Sequence, residues 1–235
     1  MKPKTVLCAG ILACCVAGNA PAQQYSLDLG VTPFFDKLSA SATIKNNDVS
    51  LNDELGLTRN NTLWEGFAAF NTRTCSVRGY YLFPKSLSAE GILPTSIAVD
   101  KDKKPIPVTT TLTLDANRLE VAIPLRVSRF VLVEPMFVYQ TISPAISITG
   151  KDYSFTSNPR LSAAGMGVEL TEKVSRNAVV RLKYLATSNM SLFEAEARYY
   201  DDNMFFSGGY GCWNYDTAGI KVRAQGPMAR VGFHF

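Results

Sequence analysis

The chain closes on Met228-Ala229-Arg230-Val231-Gly232-Phe233-His234-Phe235. Side chains alternate faces along a strand, so Ala229, Val231, Phe233 and Phe235 project one way, while Met228, Arg230, Gly232 and His234 project the other. A helix would space its apolar residues three and four apart, whereas this segment repeats at two. One face is apolar to the terminal aromatic and the other carries charge. An apolar face turned outward and a polar face turned inward describe a wall between lipid and a polar interior.

The same alternation recurs upstream. In 190–200, Ser191, Phe193, Ala195, Ala197 and Tyr199 oppose Leu192, Glu194, Glu196, Arg198 and Tyr200. In 177–187, Ala178, Val180, Leu182, Tyr184 and Ala186 oppose Asn177, Arg181, Lys183 and Thr187. Segment 75–83 sets Val77, Gly79, Tyr81 and Phe83 against Ser76, Arg78 and Tyr80, and segment 118–125 sets Leu119, Val121, Ile123 and Leu125 against Arg118, Glu120 and Ala122. Segment 130–140 is less regular, with Val131, Val133, Phe137 and Tyr139 opposing Glu134 and Gln140.

These segments define strands over 25–45, 62–71, 75–83, 108–125, 129–140, 160–171, 177–187, 190–200, 204–213 and 219–235. Short turns at 71–74, 126–129, 172–176 and 201–203 alternate with long loops at 46–61, 84–107 and 141–159, as in barrels that cross a membrane. The fold expected is all-β: a monomeric, antiparallel up-and-down transmembrane β-barrel of about ten strands, with about eight to twelve compatible with the irregular first and last strands. Aromatics including Trp64, Tyr80, Tyr81, Phe83, Tyr139, Tyr184, Tyr199, Tyr200, Tyr210 and Trp213 fall near strand ends, where interfacial girdles lie. In the last strand the apolar face moves from even positions (Ile220, Val222, Ala224) to odd ones from Ala229, which predicts a bulge at Gly226-Pro227.

The N-terminus fits an exported protein. Lys2 and Lys4 precede an apolar stretch from Val6 to Gly18, and Ala20-Pro21-Ala22 offers small residues for cleavage before Gln23. Residues 1–22 therefore read as a signal peptide and 23–235 as the barrel; Leu12 fits poorly the alternative of a lipoprotein modified at Cys14. The leader holds Cys8, Cys14 and Cys15, which leaves Cys75 and Cys212, expected near opposite rims and too few for a disulfide framework. Losing Lys2 and Lys4 lowers a formal charge that is only +4, so nucleic acid is not an expected partner. Two Asn-x-Ser/Thr matches stand at Asn60 and Asn189 and carry little weight by themselves.

Three pieces carry a resemblance: Leu51-Asn52-Asp53-Glu54-Leu55-Gly56-Leu57 after the first strand, Gly209-Tyr210 in the ninth, and the ending from Gly226-Pro227 to Phe235. Together they resemble a mostly uncharacterised group of small outer-membrane β-barrel proteins of Gram-negative bacteria. In that group an Arg often follows the Gly-Tyr pair, and Gly211 stands there instead. The resemblance implies fold and location, with outer-membrane lipid and lipopolysaccharide as surroundings. It implies no active site.

The inward face is expected to hold Glu65, Arg78, Arg118, Glu120, Glu134, Glu169, Arg181, Lys183, Glu194, Glu196, Arg198 and Arg230. Unpaired charges in a narrow barrel are costly, so opposite signs should pair across strands and plug the lumen. The alternative is a narrow, weakly selective porin lined by the same residues. A soluble periplasmic β-barrel or sandwich would leave many apolar faces bare. The single histidine, His234, lies next to the C-terminus, far from the outer end where hydrolases on such barrels work, so no catalytic residue is assigned. Asp48-x-Ser50-x-Asn52 imitates the start of a calcium loop, but Asp53 and Arg59 stand where glycine and glutamate are required, and neither metal nor cofactor is expected. Asp100 to Pro105 reads as a charged turn capping an extension of strands three and four; such a hairpin could touch lipopolysaccharide or an extracellular or envelope protein, although a solvated loop tip is the commoner case. The expected role is structural or interactional, through the outer loops 84–107 and 141–159.

Overall fold

Every strand segment among the described residues belongs to one antiparallel sheet. The computed structural model describes residues 25–94, 97, 106–151, 153–217 and 219–235. The expected leader 1–22 and the charged tip Asp100 to Pro105 lie outside the described residues. The segments are β1 (Ser26–Ile44), β2 (Asn47–Ser50), β3 (Asn60–Asn71), β4 (Ser76–Leu93), β5 (Ile106–Ala122), β6 (Leu125–Arg126), β7 (Val131–Ile142), β8 (Ala145–Gly150), β9 (Tyr153–Ser157), β10 (Leu161–Lys173), β11 (Ala178–Thr187), β12 (Met190–Asp201), β13 (Met204–Thr217) and β14 (Ile220–His234).

Ten of them form a closed ring. Pairing runs β1–β3–β4–β5–β7–β10–β11–β12–β13–β14, and β14 returns to β1 from Asp28↔His234 to Ala42↔Ile220. Closure leaves no unpaired edge in the ring, as a spanning sheet requires. The fold is the antiparallel transmembrane barrel expected, and its ten long strands match the ten expected segments closely. The start of β1 and the end of β14 meet at the rim with the short turns, where Leu27 and Phe235 exchange backbone hydrogen bonds of 3.0 Å. Short turns mark the periplasmic rim and long connections the outer one.

The expected extension of strands three and four is present, while the expected loops 46–61 and 141–159 are corrected in part, because they carry further strands. β4 and β5 continue pairing outward to Leu93↔Ile106, β8 and β9 form a hairpin on β5, and β2 folds back on β1 through Lys45 and Asn46 at positive φ. Two successive residues at positive φ suit the tight hairpin turn whose twist matches its strands. The barrel wall therefore rises well past the aromatic zone as an outer storey.

That extension explains a second correction. No bulge interrupts β14: its pairings with β13 and β1 keep one register from Ile220 to Phe233, and even-numbered side chains from Ile220 to Gly232 point inward throughout. What changes is the surroundings. In the membrane zone the lipid takes the apolar side, so Arg230 is inside and Val231 and Phe233 are outside. In the outer storey water surrounds the wall, so Ile220, Val222 and Ala224 turn into an apolar core while Lys221 and Arg223 face out. The one register shift in the ring lies in β4 between Leu82 and Lys85, around Pro84, which lacks the N–H a ladder would use.

The outer core joins Leu38, Ile44, Leu87, Leu112, Ile146, Ile148 and Trp213, and residues 51–57 close it from above. Leu51, Leu55 and Leu57 are buried in that core. Asn52 anchors the segment: its Oδ1 accepts from the Ala40 N–H at 2.7 Å, and its Nδ2 donates to the Leu38 and Leu57 carbonyls at 3.2 and 3.0 Å. Gly56 sits at φ +74°, and a Cβ there would stand 2.7 Å from the Glu90 carbonyl oxygen, so only glycine lets the segment lie against β4. The acidic side chains of the calcium-like stretch are engaged internally, Asp48 with Thr43 and Asp53 with Ser50 and Arg59. Those Arg59 and Ser50 contacts hold the Asp53 carboxyl below the usual carboxylate range. Asn52→Ala should loosen this cap by about 1–3 kcal/mol, seen as faster proteolysis between residues 50 and 60 in the refolded protein. Unchanged cleavage would mean the leucines alone hold it.

Candidate functional site

The interior of the membrane zone is built from inward-facing positions of nearly every ring strand. β1 contributes Asp28 and Thr32, β3 Glu65 and Phe67, β4 Arg78 and Tyr80, and β5 Arg118 and Glu120. β7 and β10 bring Glu134 and Glu169, β11 brings Arg181 and Lys183, β12 brings Glu194, Glu196 and Arg198, and β14 brings Arg230. The structure places all twelve sequence-selected residues inside the ring; eleven are buried and Arg181 is partly so. Six are carboxylates and six are cations, so the set balances.

They form one connected network. Arg78 bridges Glu134 at 2.7 Å and Glu169 at 2.9 Å, and Glu169 takes Arg181 at 2.5 Å. Arg181 reaches Glu196 at 3.4 Å, and Glu196 also holds Arg198 at 2.6 Å and Arg230 at 2.5 Å. From Arg230 the path continues through Glu65 and Glu194, each at 3.9 Å, to Arg118. Arg118 and Lys183 then share Glu120 at 2.7 and 2.9 Å. Such spacing lets each buried charge recover part of the hydration it loses.

Sequence reasoning missed three members. Tyr80 was assigned to a girdle, as was Trp213, yet both are buried inside. Tyr80 accepts a 2.9 Å hydrogen bond from Lys183, and its ring lies 4.1 Å from the Arg118 guanidinium. Its sharing a face with Arg78 was the available signal. Asp28 is the second, 3.6 Å from Arg198, and Thr32, which accepts from Arg230 at 2.7 Å, is the third. Both lie two residues from other inward positions of β1. His234 is at the periplasmic rim, its Nδ1 2.6 Å from Asp28 Oδ1 and its ring against Tyr200. A cavity of about 200 Å³ lies among the network residues on the periplasmic side, lined by Asp28, Arg78, Glu134 and Arg181 together with Asn71 and Thr72 of that rim. Cys75 lies at the periplasmic turn and Cys212 on β13.

Outside, apolar side chains stand exposed around the ring. Phe70, Tyr199, Phe206 and Phe233 lie toward the periplasmic rim, and Phe35, Trp64, Tyr81, Phe83, Tyr139, Tyr184 and Tyr210 toward the outer one. An exposed belt of this extent needs lipid around it. Among solved structures, the outer membrane protease OmpT from Escherichia coli superposes with a TM-score of 0.53 at 9% identity, covering 92% of this chain and 99% of that one. The chain is a small outer-membrane β-barrel. The translocator domain of the autotransporter NalP from Neisseria meningitidis (TM-score 0.41, 9% identity, 99% and 96% covered) is a more distant likeness. So is Ail, the attachment invasion locus protein of Yersinia pestis (TM-score 0.39, 8% identity, 92% and 100% covered). No protein-family model and no curated protein matches the chain. At such identities the likeness carries the fold, and a small outer-membrane β-barrel with this belt resides in the Gram-negative outer membrane.

Proposed function

We propose that the protein is a closed, non-conducting barrel, exported by a leader at residues 1–22, that serves as a structural or interaction protein through its outer storey. One observation carries the reading: two different fillings stand in series along the axis. The membrane zone holds the buried ion network, and the outer storey holds an apolar core capped by Leu51, Leu55 and Leu57. An ion would have to displace paired charges and then cross a layer with nothing to replace its water. The cavity beside Arg78 and Glu134 is the observation on the side of a narrow porin, but its lining includes no residue of the outer apolar core. The reading is also non-enzymatic, since the single histidine is bonded to Asp28 at the periplasmic rim, away from the outer surface. Partners are then the surrounding lipopolysaccharide and an extracellular or envelope protein that meets the tall walls formed by β4–β5 and β8–β9.

Planar-bilayer recording of the refolded protein tests this, with the charge-conserving pair Glu194→Gln and Arg198→Gln alongside. Insertion without steady unitary current is expected for both. Steady currents in the parent that the pair alters would establish a pore lined by these residues and overturn the closed barrel.

A further inference from the structure

One strand edge in the outer storey is left open. β9 pairs with β8 alone, and among the described residues none of the backbone hydrogen bonds outside the ladders involves residues 153–157. The pairs Ile146↔Ser157 and Ile142↔Leu161 share one register, so β9 is the outward continuation of β10 beyond residues 158–160. On the other side of β10, pairing with β11 stops at Gly165↔Thr187. Outward of that pair, the β11 side of this strand has no strand partner among the described residues. Only two residues separate Gly150 from Tyr153, which makes them a hydrogen-bonded pair. Hydrogen bonding alternates along an antiparallel pair, so Ser154 and Thr156 turn their N–H and C=O groups to the open side.

The open side is also where the outer core shows. Tyr153, Phe155, Leu161 and Ala163 share the inward face of this strand, yet each is only partly buried. Ile148 and Ile142, opposite Phe155 and Leu161 in the ladder, are 0% and 5% exposed. The two rows differ in having a strand on both sides or on one. Edges that face water are ordinarily blunted by charge, proline or a bulge. Tyr153-Ser154-Phe155-Thr156-Ser157 carries none of these. Both signs of charge flank it, Lys151 and Asp152 before it and Arg160 after it, so charge does not select what binds. Another extended chain fits: its backbone would meet the free N–H and C=O groups at ladder spacing, and every second side chain would cover Tyr153 and Phe155. A second copy in the membrane does not fit. Two barrels there stand the same way up, whereas antiparallel pairing of this edge with its own copy needs a two-fold axis across the strands.

From this juxtaposition we propose that the free edge of β9 is a docking site for an extended segment of an extracellular or envelope protein, added to the sheet as one more strand with apolar side chains at alternate positions. The proposal deepens the protein partner named above and rests on the interaction role given to the outer storey. It is independent of whether the barrel conducts.

The test is binding of a synthetic peptide that alternates valine with serine to the full refolded chain in a neutral detergent, read by fluorescence anisotropy and amide hydrogen exchange. Heat-dependent gel mobility confirms that each variant is folded. Peptide binding is expected to slow exchange at Ser154 and Thr156, whose amides exchange freely in the protein alone. A fully N-methylated analogue keeps the side chains and loses every N–H, so it should bind about tenfold more weakly, as two lost hydrogen bonds imply. It tests the edge without altering the barrel. Ser154→Pro with Thr156→Pro removes two edge donors and should weaken the unmethylated peptide by a similar factor. Lys37→Gln with Arg223→Gln, on β1 and β14, should leave it unchanged. Equal affinity for the methylated and unmethylated peptides, or slowed exchange only on other strands, would overturn strand addition at this edge. Slow exchange at Ser154 and Thr156 before peptide is added would show the edge already covered and overturn the site. Dimers of the parent that the peptide dissociates would make a second copy the occupant and overturn the partner assignment. A conducting parent that still passes these arms would refute the closed barrel alone, and a non-conducting parent that binds no peptide would refute the docking site alone.

Discussion

Glu196→Gln is expected to cost the barrel about 3–5 kcal/mol of unfolding free energy, the largest loss of any single charge in the interior. Glu196 is 5% exposed and meets three guanidinium groups, Arg230 at 2.5 Å, Arg198 at 2.6 Å and Arg181 at 3.4 Å. The amide keeps the shape and removes the charge, so the three cations remain buried with one shared counter-ion fewer. Arg181 still has Glu169, and Arg230 still has Glu65 and Glu194, but Arg198 keeps only Asp28 at 3.6 Å. Adding Arg198→Gln should therefore recover part of the loss, because it removes the cation left worst off. Urea unfolding of the vesicle-inserted protein measures both. A single variant within about 1 kcal/mol of the parent would mean that water screens the network, as it screens exposed pairs.

How much of this interior was legible in the sequence depends on which storey is considered. In the membrane zone one rule suffices: the apolar face meets lipid and the charged face meets the lumen. Alternation in 190–200 and 177–187 therefore assigned Glu194, Glu196, Arg198, Arg181 and Lys183 to the inner side directly. The strand count was legible for the same reason, since ten alternating runs separated by polar turns leave little freedom.

Beyond the membrane the rule inverts, and the sequence carries no mark of where. Ile220, Val222 and Ala224 looked out of phase with Val231 and Phe233, and a bulge at Gly226-Pro227 restored the phase on paper. The strand is straight, and the solvent outside it changes instead. The same inversion hid the outer parts of β4 and β5, where Leu87 and Leu112 face in while Ser88 and Thr111 lie on the other side. Period 2 gives two faces but not which one is the core. The register shift that does occur lies beside Pro84, at the start of a segment that reads as a loop in the sequence. Tyr80 and Trp213 were misplaced because an aromatic near a strand end suits either a girdle or a core.

The inversion within β14 leads to the second large effect. Val222→Lys and Ala229→Lys place the same charge on the same strand, on opposite faces and in different storeys. Val222 is 2% exposed, sits between Ala40 and Tyr215, and belongs to a core cluster of apolar side chains. An ammonium there is desolvated without a counter-ion, so a loss of about 3 kcal/mol or more is expected, with the 51–57 cap and the ends of β1 and β4 opening to protease. Because water surrounds the outer storey in either medium, the loss should be similar in detergent and in bilayers. Ala229 faces lipid, opposite Gly208 on β13. A lysine there should cost about 2–4 kcal/mol in a bilayer, and much less in a micelle, whose thin apolar shell lets the side chain reach water. Unfolding measured for both variants in both media separates the two faces. If Val222→Lys were the variant sensitive to the bilayer and Ala229→Lys the indifferent one, the lipid boundary would lie beyond residue 222. The outer storey would then be part of the membrane wall.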